Sequence, residues 1–375
     1  MPKVCFVALN AYKLFDPQSS AKMGGSELQM HAIAEGLSRK DDFDISFIVG
    51  DFHQNALQRF GNISVYASFA LQKTLTVFIM APFVMFALLW RIRPDVIISS
   101  PAGPEMAFLG IYARIMGATY IYRVASDIDV SGEKQKQLGL IAGSLYRLGI
   151  ACSHLLVAQH VGQQEMLERA YQKPSIVIPN IGITGVKKSS LTKKDRIIWI
   201  GSSRPVKRLD VLFDIARRMP EYSFAVVLSH SGEERIFRDA QLQADALQNV
   251  EFLGELSSQE VEKELVASSI LLGTSDYEGF PNTYLQAFFS HVPVVSLRVD
   301  PDKIFANSRF GICTNGDIDA TQKTLRKLMK DQVMRADFAH RAYQYAQGKH
   351  GSSTVLQKWI FAIRTKHYSQ LETGA

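Results

Sequence analysis

Residues 274–287, TSDYEGFPNTYLQA, bring a carboxylate, a helix start and an amide into one line. Pro281 suits the first position of a helix, where no N–H is needed and its fixed φ is already helical. The free N–H groups near Asn282 and Thr283 would then seat an anion at the positive end of that helix. Glu278 stands in the loop just before the seat. Gln286 follows on the same helix, roughly 7 Å beyond Pro281 at ~1.5 Å per residue. A ligand offering hydroxyls, then a diphosphate, then a ribose would match this order, and a sugar nucleotide is built that way.

Two other segments are candidates for holding the same anion. Residues 201–210, GSSRPVKRLD, gather Arg204, Lys207 and Arg208 between a strand and a helix. Lysine is a point charge and arginine a two-pronged donor, so a diphosphate is a natural guest. A solvated helix start with its charges facing water fits the same residues. Near the N-terminus, KMGGSE puts Gly24 and Gly25 just before a helix, where a backbone without side chains lets an anion come close. Ser26 with Gln29 three positions on forms a capping box, which makes Ser26 the expected N-cap. A plain turn accounts for the two glycines equally well. The segment lacks G-x-G-x-x-G, which argues against a dehydrogenase.

These segments need strands and helices to position them. Short apolar, β-rich runs recur at 4–9, 45–49, 96–98, 120–124, 155–158 and 176–178, with helical patterns between them. A second series follows at 197–200, 224–228, 250–253, 270–273 and 294–297. This rhythm is that of parallel sheets wrapped by helices. The expected fold is therefore α/β, with two Rossmann-like doubly wound domains facing each other across a cleft. Ligands of such sheets bind at the carboxyl ends of the strands, which puts the expected active site in that cleft. The expected domains are 1–185 and 186–355, with 356–375 a C-terminal helix packing back toward the first. The basic stretch 187–194 reads as the hinge.

Composition narrows the partners. A net charge of +6 favours polyanions: nucleic acid, phosphate-bearing substrates or an anionic membrane. No zinc-finger spacing, aromatic RNA-binding signature or dominant basic helix is present, so nucleic acid is not expected. Cys5, Cys152 and Cys313 are odd in number and widely spaced, which argues against a disulfide framework or a zinc site. The chain opens without a basic-then-apolar leader, so a cytoplasmic location is expected. Residues 75–90, LTVFIMAPFVMFALLW, are apolar all round a helix and bracketed by Lys73, Arg91 and Arg93. With Pro82 in the middle they fall short of the ~20 residues that span a bilayer. An interfacial helix on the inner face of the cell membrane is the expectation, because the flanking cations can reach anionic headgroups. A buried core helix is the alternative.

The motifs resemble family 4 of the retaining glycosyltransferases, the group with the GT-B fold. The resemblance rests on Gly24-Gly25, Pro179-Asn180, the Gly201 loop with Lys-Arg-Leu-Asp, and above all Glu278-Gly-Phe-Pro-Asn followed by Pro293-Val-Val. It implies that Glu278 holds hydroxyls of the donor sugar. Lys207 and the segment Gly279, Phe280, Pro281, Asn282 and Thr283 would hold the diphosphate. The family's second glutamate, which holds the ribose, is replaced here by Gln286. Its basic residue after the loop glycine is replaced by Ser202, with Arg204 a substitute two residues on. The family often carries a histidine in the loop after the strand at 120–124; this chain has Ala125-Ser126-Asp127-Ile128-Asp129. Asp127 or Asp129 could face the acceptor or merely cap a loop. Asp-x-Asp also mimics a metal motif of another glycosyltransferase fold, yet with Lys207 available no metal and no resident cofactor is expected. None of the nine histidines forms a recognisable triad or metal pair.

The resemblance thus implies a retaining transfer from a UDP- or GDP-sugar to a saccharide or lipid-linked saccharide; the apolar helix and basic balance suggest, by analogy, a lipid-linked saccharide of a bacterial surface polysaccharide pathway. The departures at Gln286 and Ser202 keep open a non-catalytic sugar-nucleotide binder, and the fold also hosts epimerases and phosphorylases.

Overall fold

The computed structural model describes residues 1–72, 74–100, 102–183, 195–308 and 310–365. The expected hinge at 187–194, Lys73 and residues 366–375 lie outside the described residues. The chain forms two compact units, 1–181 with the segment from Ser352 on, and Gly182–Gly351.

The first unit is an eight-stranded sheet. Its strands are β1 (Lys3–Val7), β2 (Asp44–Asp51), β3 (Leu57–Phe60), β4 (Ile63–Ala70), β5 (Val96–Ser99), β6 (Thr119–Arg123), β7 (Leu155–Ala158) and β8 (Ser175–Val177). Its helices are α1 (Gly25–Ser38), α2 (Leu75–Ile92), α3 (Glu105–Met116), α4 (Asp127–Val130), α5 (Glu133–Cys152) and α6 (Val161–Tyr171). The strand order is β3-β4-β2-β1-β5-β6-β7-β8. All pairings are parallel except β3 with β4. The central strands are apolar without a break because helices cover both faces of the sheet, as β1, β5 and β7 show. β3 and β4 were not expected. They form an edge hairpin turning on Gly61-Asn62, where Gly61 has φ +56°, and their half-exposed alternation lacks a continuous apolar run.

Helix α2 is neither wholly core nor wholly surface. Thr74 caps it, its Oγ1 accepting from the Val77 N–H at 3.3 Å. Met85, Leu89 and Ile92 recur at helical spacing and are buried on the sheet. Phe83 and Trp90 point away, 68% and 51% exposed. Among the described residues no helix is long and apolar enough to cross a membrane.

The second unit is a six-stranded parallel sheet in the order β11-β10-β9-β12-β13-β14. The strands are β9 (Arg196–Ser202), β10 (Ser223–Ser229), β11 (Val250–Gly254), β12 (Ile270–Gly273), β13 (Val294–Ser296) and β14 (Gly311–Cys313). The helices are α7 (Leu209–Arg217), α8 (Glu234–Asp245), α9 (Ser258–Val266), α10 (Asn282–Phe289), α11 (Ile304–Ser308), α12 (Ile318–Lys330) and α13 (Gln332–His350). Side chains alternate along β9, as the pleat requires. Ile197 and Trp199 join a core with Leu212, Phe213, Phe237 and Leu328, while Ile198 faces the opposite core with Leu265, Leu285, Phe288 and Ala342.

The last helix, α14 (Ser352–Thr365), begins four residues before the expected 356 and belongs to the first unit. Val355, Trp359, Ala362 and Ile363 are buried along it. Gly36 of α1 gives it room, since a Cβ there would sit 2.6 Å from Leu356 Cδ1. Arg364 also pairs with Asp42 at 2.8 Å.

Candidate functional site

The second sheet changes winding direction between β9 and β12, which are direct neighbours pairing Ile198 with Leu271. Such a switch point opens a crevice at the carboxyl ends of its two strands, because their connections leave to opposite sides. The loop after β9 carries Arg204, Lys207 and Arg208, and the loop after β12 carries Ser275, Asp276 and Glu278. Strand order therefore brings together two segments 71 residues apart.

Backbone and side-chain bonds lock the two loops to each other. The Asp276 N–H donates to the Val206 carbonyl at 3.0 Å. Thr274 Oγ1 accepts from the buried Trp199 indole at 2.8 Å and donates to the Lys207 carbonyl at 2.7 Å. Lys207 closes a short 3₁₀ turn, 205–207, and Arg208 follows in the left-handed region at φ +49°. That conformation is costly for a residue with a side chain, and two carboxylates engage the Arg208 side chain. Arg208 pairs with Asp210 at 2.9 Å and with Asp276 at 3.1 Å, while Arg298 approaches the same Asp276 oxygen at 3.4 Å. The Arg208 hydrogen bonds also hold the Asp210 carboxyl below its ordinary range.

At the centre, the Lys207 ammonium forms an ion pair with Glu278 Oε1, and the Ser275 hydroxyl donates to that oxygen at 2.8 Å. The Lys207 and Glu278 side chains are 19% and 21% exposed, sheltered yet reachable. Gly279 and Phe280 are buried directly after Glu278. Pro281 is not the first helical residue as the sequence suggested. Its ψ of 125° is extended and makes it the N-cap, so α10 begins at Asn282. Fixing φ alone does not commit proline to helix, and here the chain turns in one residue later. The helix is anchored by Tyr284, whose hydroxyl donates to Ser296 Oγ at 2.8 Å. Gln286 lies on α10, partly exposed.

Arg204 is exposed and turned toward another loop, its Nε donating to the Ser231 carbonyl at 3.0 Å. That neighbouring loop approaches closely because Gly232 lacks a side chain: a Cβ there would lie 2.1 Å from the Ser203 carbonyl oxygen.

The remaining expected residues belong to the first unit. Gly24, not Ser26, is the N-cap of α1, and the helix starts at Gly25. Glu27 reaches back to accept from the Gly24 N–H at 3.0 Å and from the Ser26 hydroxyl at 2.8 Å. Gln29, expected in the capping box, is buried instead and exchanges two hydrogen bonds with the Ile181 backbone, at 2.7 and 2.9 Å. A carboxylate two residues earlier, Glu27, takes the helix end instead.

Asp127 and Asp129 have separate surroundings. Asp129 is buried, accepts from the Ala125 and Ser126 N–H groups at 3.3 and 3.0 Å, and is pushed up to about 6 by burial. Asp127 is partly open, and its Oδ1 meets His160 Nε2 at 3.1 Å and the Gln163 side-chain amide at 2.9 Å. His160 Nδ1 accepts from the Gln163 N–H at 3.3 Å, so Nε2 carries the proton toward Asp127 in the neutral ring. This His–Asp pair was missed in the sequence because its members lie 33 residues apart; only the N-cap position of His160 before α6 gave any local signal. Among the described residues no group of three His, Cys, Asp or Glu side chains is arranged to hold a metal ion.

Known proteins place this architecture. The chain superposes on HepE from Anabaena, solved in complex with UDP and glucose, with TM-score 0.73 at 17% identity over 97% of this chain and 100% of that one. It superposes on WaaG, a glycosyltransferase involved in lipopolysaccharide biosynthesis, with TM-score 0.68 at 16% identity over 96% and 99%. At such identities these likenesses show the fold, which is GT-B. Residues 194–331 match the family model described as glycosyl transferases group 1, so the chain carries a group 1 glycosyltransferase domain. A poly(ribitol-phosphate) alpha-N-acetylglucosaminyltransferase of Staphylococcus aureus (strain COL) is 24% identical over 166 residues, 42% of this chain. That match spans only 32% of the relative's length.

Proposed function

We propose that the chain is a retaining glycosyltransferase moving a sugar from a UDP- or GDP-sugar to a hydroxyl of a saccharide or lipid-linked saccharide. The observation that carries this reading is the Lys207–Glu278 pair at the β9–β12 switch point, beside the start of α10. Lys207 and the first N–H groups of α10 are suited to the two phosphates, and Glu278 to sugar hydroxyls. The bond from the anomeric carbon to the phosphate oxygen breaks, and the acceptor oxygen bonds to the same face. The hydroxyl proton leaves to the departing diphosphate. Fixed cationic and N–H donors aimed at that leaving group supply the main catalytic contribution, with no resident cofactor. Asp127, held by His160 and Gln163, is assigned to the acceptor hydroxyl.

A HepE structure holding UDP and glucose supports a uridine nucleotide donor. WaaG and the Staphylococcus relative, whose names refer to lipopolysaccharide biosynthesis and poly(ribitol-phosphate), support a bacterial surface polysaccharide as the setting; a cytoplasmic location is part of the same proposal. Thermal-shift measurements against UDP-, GDP- and ADP-sugars test the donor, since a ligand at 100 times its Kd stabilises the native state by about 2.7 kcal/mol. One class should raise the melting temperature. No shift with any of them would count against the reading.

A further inference from the structure

We propose that the outward sides of α2, α3 and α5 form a single surface that lies on an anionic lipid bilayer. The three helices connect β4–β5, β5–β6 and β6–β7, successive crossovers in one direction along the sheet, so they lie side by side on one face. Their inner residues, among them Met85, Leu89, Leu109, Tyr112, Tyr146 and Ile150, share one core.

The outward residues are the unusual part. On α2, Phe78, Ile79, Met80, Phe83 and Trp90 are each 45–68% exposed. Ile111, Ile115 and Met116 are likewise exposed on α3, and Leu140, Ile141 and Leu148 on α5. The other exposed large apolar residues of the described chain are scattered singly over both units, which is ordinary for a protein surface, whereas a contiguous apolar surface marks an interaction site. α5 adds a further feature: Gly139, at φ +79° and ψ 179°, breaks the helix. The next two residues, Leu140 and Ile141, stand out 92% and 70% exposed, as an apolar corner.

Charge selects the occupant. The three helices carry Arg91, Arg114, Lys134, Lys136 and Arg147 against two carboxylates, Glu105 and Glu133, and Arg93 follows directly after α2. A cation-fringed apolar face complements phospholipid headgroups above acyl chains, with long basic side chains reaching outward as the apolar residues sink. Trp90 fits the boundary, its ring lying 5.8 Å beneath the Arg93 guanidinium at the helix end. The surface would bring the site to a lipid-linked acceptor, and the inference rests on the proposed transfer reaction in that respect alone.

The test uses the full chain with vesicles of phosphatidylcholine, with or without about a third phosphatidylglycerol. Of the three tryptophans, Trp199 and Trp359 are buried, so a blue shift of emission on binding reports Trp90. The protein should float with anionic vesicles, shift its emission to the blue, and release in high salt. Leu140→Ser with Ile141→Ser should lower partitioning at least about tenfold, while Leu242→Ser, an exposed apolar residue of the second unit, should leave it unchanged. Circular dichroism keeps unfolding distinct, since both α5 side chains are exposed. Failure to float, equal binding to neutral vesicles, or full binding by the double variant would overturn the proposal. So would self-association abolished by that variant without vesicle binding, which would make the face an interface between copies of the chain. Nucleotide binding, measured separately, shows whether the transfer reading fails instead.

Discussion

Lys207→Ala and Glu278→Gln should move nucleoside diphosphate affinity in opposite directions. Lys207 is engaged by Glu278, whose carboxylate also accepts from Ser275. A diphosphate must draw the ammonium away before it gains the charge-assisted bond. That bond is worth about 1.5–3 kcal/mol, and releasing a pair that is about one-fifth exposed costs roughly 0.2–1 kcal/mol by analogy with surface pairs. The net loss in Lys207→Ala is therefore about 0.5–2.8 kcal/mol, or roughly 2- to 110-fold in Kd at ~1.36 kcal/mol per decade. Glu278→Gln removes the competitor and leaves the ammonium in place, so UDP or GDP should bind equally well or up to about fivefold tighter by the same pair energy. Transfer from the intact sugar nucleotide should nevertheless collapse, since the carboxylate proposed to hold the sugar is gone. Isothermal titration calorimetry with UDP and GDP on both variants measures the two signs. Weakened binding in both would refute the exchange of partners, and unchanged binding in Lys207→Ala would remove Lys207 from the phosphate site.

Gln286→Glu should bind the donor as well as the native chain or better by up to about 1 kcal/mol, whereas Gln286→Ala should lose roughly 0.5–1.5 kcal/mol, since an amide accepts and donates where a carboxylate accepts twice. A neutral Ala with an unfolded Glu variant would make Gln286 a packing residue. Transfer should persist in EDTA if, as proposed, Lys207 and the α10 N–H groups take the place of a divalent ion; activity lost in chelator and restored by manganese would contradict this. Burial raises the Asp129 carboxyl to about 6, so the stability it contributes is complete below about pH 4 and is lost as pH rises through 6. Thermal melts from pH 4 to 8 should show wild type declining on the order of 2–3 kcal/mol across that window. Asp129→Asn should be flatter and more stable at pH 8; a variant less stable than wild type at pH 8 would refute the sign.

β14, only three residues long, was missed, but most other parallel strands were legible because burial on both faces leaves a continuous apolar run, as in β5, whose four residues are all buried. The β3–β4 hairpin was not, since an edge strand such as LQRF is half solvent-facing and carries a charge. The starts of α1 and α10 were misplaced by two residues and by one. At α1 the competition between Ser26, Glu27 and Gln29 for one end is settled by geometry, and at α10 Pro281 is compatible with either side of the boundary. Sequence named Lys207 and Glu278 separately, but their ion pair follows from β9 and β12 being neighbours, a fact of strand order. The Asp127–His160 contact depends in the same way on β6 lying beside β7. The exposed apolar surface was half visible: α2 announced itself by composition, whereas α3 and α5 look amphipathic until their outward residues are placed in space.

The central claim is transfer with retention, and the stereochemistry of the first product tests it most directly. Proton NMR of the anomeric signal, followed from mixing with the α-linked nucleoside-diphosphate sugar that stabilises the protein, should show an α-configured product forming first as the nucleoside diphosphate is released, and Glu278→Gln should abolish it. A β-configured first product, or α product formed undiminished by Glu278→Gln, would contradict the account.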